Sequence, residues 1–163
     1  MPTIIDDIDL ISTYSSGNFV SHAVESIDTM KTFYVTDFLG AVTEAFLYVF
    51  CSVDISAGDP TITFGKPGFE APLPAPTEIF AKSAFLSPRP ATEETRNYRF
   101  DVTSVVDSPG SYNISGSALS GSNIYFGATL YVVYEYANDI GPLTISTART
   151  RVVSEYGGMI KIT

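Results

Sequence analysis

Residues 45–51 read AFLYVFC, and the reading of this stretch decides the fold. In a two-sheet β-protein a strand alternates, with one face in the core and the other in water. Leu47, Val49, Cys51 and then Val53 would fill a core face, so Phe46, Tyr48 and Phe50 would point the other way. Three aromatic rings on the supposed outside need a cover.

Around this stretch most segments read as strands. They are rich in Val, Ile, Thr, Tyr and Phe and are bounded by Gly, Pro, Ser, Asp or Asn. The expected strands are 3–14, 18–27, 31–36, 44–54, 60–64, 96–106, 111–119, 124–137, 143–153 and 158–163. SSGN at 15–18, AGDP at 57–60, SPG at 108–110, NDIGP at 138–142 and YGG at 156–158 supply the chain reversals. Short strands with such punctuation predict an all-β fold, an antiparallel β-sandwich or jelly roll. The chain is read as a single domain over 1–163, with 1–16 as an N-terminal assembly arm.

The exception is 65–95, where six of the ten prolines fall between Pro67 and Pro90. Proline fixes φ and removes a donor, so the segment predicts a long Pro-rich loop rather than a central strand. Within it, 77–86 (TEIFAKSAFL) reads equally as a turn or two of helix, a short edge strand or an ordered loop.

The second strongly apolar strand is IYFGATLYVVYEY, 124–136. Ala128, Leu130, Val132 and Tyr134 line one face, and Tyr131, Val133 and Glu135 the other. Near-continuous apolar strands are expected where both faces are covered. With almost no helix available, the cover would come from the 65–95 excursion, the N-terminal arm or another subunit. Uncovered, the stripe would be an interaction site. In the arm, Ile4, Ile8 and Leu10 share one face and Ile5 and Ile11 the other. It suits either an edge strand blunted by charge or a strand inserted into a neighbouring sheet. The first thirty residues carry five acids and no Lys or Arg. That polarity suits head-to-tail packing or simply a solvated acidic edge.

The net charge of −9 argues against a nucleic-acid partner. No run approaches the roughly 18 apolar residues of a membrane span, so membrane insertion is not expected. No basic and then apolar leader opens the chain; either it is exported and numbered after processing, or it has no signal. The single cysteine excludes an intrachain disulfide. Cys51 is either an inert core thiol or half of an intermolecular disulfide.

Catalytic patterns are missing. His22 is the only histidine, SGSALSG is not a nucleophile elbow, and phosphate-loop, dinucleotide and zinc signatures are absent. The expectation is therefore no enzyme and no cofactor. Ca²⁺ is the one ion considered, with Asp54, Asp59, Asp107 and Asp139 at strand ends or turns, where turn chemistry explains them as well. Asn113-Ile114-Ser115 is an N-glycosylation sequon.

RFDVTSVVDSPGSYNIS (99–115) followed by IYFGATLYVVYEY (124–136) resembles the β-sandwich domain of cell-surface proteins of methanogenic archaea. Asp101, Val102 and Thr103, then Tyr125, Gly127, Ala128, Leu130, Val132, Val133, Tyr134 and Glu135, carry the likeness, and EAFLYVF resembles an earlier strand of that family. The likeness covers about 44–156. It implies an extracellular, cell-surface location. A solitary acidic version suggests a subunit that polymerises with copies of itself into a sheath, surface layer or filament. A sheath held partly by disulfides would give Cys51 a role. The expected interface is Ile4, Ile5, Ile8, Leu10, Phe46, Tyr48 and Phe50. The alternatives are a virion capsid or tail protein and a carbohydrate-binding module that would present Tyr131 to a sugar.

Overall fold

The computed structural model describes residues 5–14, 18–38, 40–83, 92–135, 143–150 and 158–162, with side chains over 19–38, 40–77, 79 and 92–135. In chain order the strands are β1 (Ile5–Tyr14), β2 (Asn18–Glu25), β3 (Lys31–Val35), β4 (Val42–Asp54), β5 (Ile62–Gly65), β6 (Ala71–Pro72), β7 (Glu78–Ser83), β8 (Glu93–Asp101), β9 (Gly110–Gly116), β10 (Tyr125–Tyr134), β11 (Leu143–Thr150) and β12 (Gly158–Ile162). Each of the ten expected segments overlaps a strand. One turn of 3₁₀ helix, Ile55–Ala57, follows β4.

A five-stranded sheet of order β2-β10-β4-β8-β7 faces a four-stranded sheet of order β3-β9-β5-β6. A third sheet has the order β1-β11-β12. All pairings are antiparallel. The fold is an antiparallel β-sandwich, as the strand pattern predicts.

The register explains the core. Leu47, Val49, Cys51 and Val53 face inward from β4 and join Ala128, Leu130 and Val132 of β10. Phe33 and Val35 of β3, Ile62 and Phe64 of β5, and Tyr112 and Ile114 of β9 meet them from the smaller sheet. Period-two alternation places each set on one face, and every large side chain so buried stabilises by roughly 1.5–3 kcal/mol. Phe64 stacks on Tyr112 at 5.9 Å between centroids.

The sequence has ten tyrosines and no tryptophan. Three buried tyrosines use the phenol's dual character, a ring for the core and a donor for a loop. Tyr125 donates to the Ser117 carbonyl (2.7 Å), Tyr98 to the Asp59 carboxylate (2.8 Å), and Tyr112 to the Ser108 carbonyl.

The 65–95 segment departs from the long loop that its prolines suggest. The chain turns at Lys66–Phe69, returns as β6 against β5, and adds β7 to the edge of the larger sheet. β7 runs in register with β8 from Glu78↔Arg99 to Ser83↔Glu94, so 77–86 contributes an edge strand rather than a helix. Proline is tolerated in this part because it sits at a sheet edge and between edge strands, where fewer backbone donors are needed. Residues 84–91 lie outside the described ones.

Candidate functional site

The second face of the five-stranded sheet holds the rings that the sequence leaves unexplained. Phe46 and Tyr48 are 0 % exposed, and Phe50 is half-buried. Phe46 lies opposite Tyr131 of β10, and the two rings stack at 5.4 Å with planes 16° apart. Tyr48 meets both rings edge-on, at 5.8 Å from Phe46 and 6.0 Å from Tyr131. From β8, the Arg99 guanidinium stands 5.0 Å from the Phe46 ring centre and pairs with Glu44 at 3.4 Å. Of the covers left open by the sequence (the 65–95 excursion, the N-terminal arm or another subunit), no second copy is needed for Phe46 and Tyr48. One chain leaves no surface on Phe46 or Tyr48, and Tyr131 and Arg99 are among the cross-strand neighbours packed against this cluster. Tyr131 is correspondingly half-buried, and burial raises its phenol above the ordinary value.

Cys51 faces the sandwich interior, 0 % exposed, and burial pushes its thiol up to about 12. A thiol in that position is the inert core group of the two readings; an intermolecular disulfide would require the core to open. The aspartates considered for Ca²⁺ have separate partners. Asp54 caps the 3₁₀ turn by accepting from the Ser56 N–H at 3.0 Å and hydroxyl at 2.6 Å, which lowers its carboxyl. Asp59 accepts from Arg96 at 2.6 Å and from Tyr98. Asp107 accepts from Lys66 at 2.7 Å and from Ser108 at 2.8 Å, and these bonds lower its carboxyl too. Asp139 lies outside the described residues. Among the described residues no three His, Cys, Asp or Glu side chains converge as metal ligands. His22 contacts Asp37 at 2.8 Å.

The N-terminal arm folds back on its own chain. β1 forms one edge of the third sheet and pairs with β11: Ile5↔Thr150, Ile8↔Ala148, Leu10↔Ser146 and Asp7↔Arg149. The acid-to-base polarity read as head-to-tail complementarity is thus registered within one chain at Asp7 and Arg149. Ile4 lies outside the described residues.

Two aromatic side chains that the sequence reading passed over are open to solvent. Tyr34 on β3 is 68 % exposed, and Phe69, in the turn after β5, is 82 % exposed. The signals were present. Tyr34 is the outward position between inward Phe33 and Val35, and KPGF at 66–69 is a turn that throws its last residue outward. The sequon residue Asn113 sits mid-strand in β9, where its amide nitrogen donates to Glu70 at 2.7 Å. At one end of the sandwich, a groove of about 310 Å³ is lined by Ser26, Asp28, Leu119, Asn123, Ile124 and Tyr125. Its polar groups are used in turns: Ser26, at φ +25°, donates its hydroxyl to Asp28. No family model, curated protein or solved structure matches this chain.

Proposed function

We propose that this chain is a structural, non-catalytic subunit that assembles with copies of itself through the edges of its sheets, as part of an extracellular sheath, surface layer or filament. The observation that carries the reading is β1, a ten-residue strand at a sheet edge with only β11 beside it among the described strands. A strand edge offers a row of backbone donors and acceptors to another chain. Since Phe46 and Tyr48 are closed off, the reading rests on edges, not on an aromatic interface. The surface location rests on the resemblance of 99–115 and 124–136 to methanogen surface domains.

Light scattering and negative-stain imaging of the purified chain test this. Large ordered assemblies are expected. Proline substitutions along β1 should dissolve them at positions whose N–H points away from β11, while the intrachain ladder survives. A monomer that stays monomeric at high concentration overturns the reading.

A further inference from the structure

We propose that the outer face of the four-stranded sheet, between Tyr34 and Phe69, binds an uncharged glycan. Tyr34 is opposite Ser111 in register and Thr32 is opposite Asn113, so these side chains share the solvent face of β3 and β9. On the other side of β9, Gly65 is also opposite Asn113. The next four residues form a type II turn: Phe69 N–H donates to the Lys66 carbonyl at 2.8 Å, with Gly68 at φ +84°. That turn folds the chain back over the same face. A Cβ on Gly65 would lie 2.6 Å from the Phe69 carbonyl oxygen and 2.9 Å from the Glu70 Cα. Tyr34 on β3 and the turn that carries Phe69 after β5 therefore lie on opposite sides of β9, whose two neighbouring strands are about 10 Å apart.

Between them runs an ordered polar row. Thr32 donates its hydroxyl to the Asn113 side-chain Oδ1 at 2.7 Å, and the Asn113 side-chain Nδ2 donates to Glu70 at 2.7 Å. The other Glu70 oxygen accepts from the Gly68 N–H at 3.0 Å. These bonds fix the rotamers before any ligand arrives, so less ordering entropy remains to be lost on binding. They leave unused the second Asn113 N–H, further lone pairs on Glu70 and a lone pair on Thr32. Hydroxyls, which donate and accept at once, complement that set, and an aromatic ring complements the C–H face of a sugar.

Charge narrows the class. Lys66, the cation beside the turn, is already paired with Asp107 at 2.7 Å. The face itself presents the Glu70 carboxylate on a chain of net charge −9, so it repels anionic polymers. A second copy of the chain fits poorly too, because a protein interface wants an apolar, charge-depleted centre, and here the centre is Asn113 and Glu70.

The full chain would be titrated with maltohexaose, cellohexaose, mannohexaose and chitohexaose, followed by amide NMR and tyrosine fluorescence. At least one should give saturable shifts centred on 32–34, 66–70 and 111–113. Tyr34→Ala and Phe69→Ala should each weaken binding about tenfold, with Tyr34→Phe retaining most of it. Both sites are exposed, so the variants should keep the native amide spectrum, and Ile124→Ala, at the groove, should bind as the parent does. The proposal is overturned by no saturable shift with any of the four at millimolar concentration, by shifts elsewhere, or by binding indifferent to both alanine variants.

Discussion

Tyr131 of β10 lies against Phe46 of β4 with ring centroids 5.4 Å apart, and the Arg99 guanidinium of β8 reaches the same Phe46 ring at 5.0 Å. Three adjacent strands thus build one aromatic cluster on the face away from the sandwich core. The cluster stabilises the sheet that carries it instead of waiting for a partner.

Phe46→Ala should therefore be a stability mutation. Removing a wholly buried phenylalanine is expected to cost about 3–5 kcal/mol, while Tyr131→Ala, at a half-buried position, should cost about 1–3 kcal/mol. A double-mutant cycle should return a coupling of about 0.5–1.5 kcal/mol in urea melts. A Phe46→Ala variant with an unchanged midpoint but lost assembly would reverse this assignment.

Stability should decline in alkali. Burial raises the Cys51 thiol from 9.0 to about 12 and the Tyr125 phenol from 10.0 to about 12, and it also raises Tyr98 and Tyr131. The folded chain holds protons that the unfolded chain has lost, so unfolding releases protons and is favoured as pH rises. The contribution is fully present below pH 9.0 and disappears toward pH 12. Each group adds a slope of up to about 1.4 kcal/mol per pH unit within its own window. Cys51→Ala should delay the onset of this decline, seen by comparing urea melts at neutral pH and at about pH 10.

Native Cys51 should resist alkylation. Iodoacetamide at mildly alkaline pH is expected to label it only after denaturant is added, and non-reducing gels should show no disulfide dimer. Rapid labelling of the folded chain would mean that the thiol reaches solvent.

Asp59 and Tyr98 should be coupled. Asp59→Ala leaves a buried phenol hydroxyl without its acceptor, at an expected cost of about 1–3 kcal/mol. Tyr98→Phe removes the hydroxyl together with its need, and should be milder. In the Tyr98→Phe background, Asp59→Ala should lose much of its effect, leaving the part due to Arg96. Additive costs would show that the hydrogen bond does not matter to stability.

Much of the fold was legible because strand alternation is a local property. Leu47, Val49, Cys51 and Val53 fall on the core face, as period two demands, and of the turn clusters that lie among the described residues, AGDP (57–60) and SPG (108–110) mark junctions between strands. The 65–95 segment was less legible. Proline density marks what is not a central strand, but an edge strand such as β7 tolerates sequences that a centre does not. The candidate sites were harder still. Alternation puts Tyr34 on an outward position, as it does Phe46 and Tyr48, and only the folded chain shows which of these rings is covered.

The sequence by itself determined the class of fold, since apolar residues at alternate positions have only one way to leave water in a chain of short strands. Tertiary structure alone decided which rings stay dry. Phe46 and Tyr48 fall on the outward face of β4 and are wholly buried, whereas Tyr34, on the outward face of β3, stands open. Burial is a property of what lies across the sheet, and no local pattern carries that information.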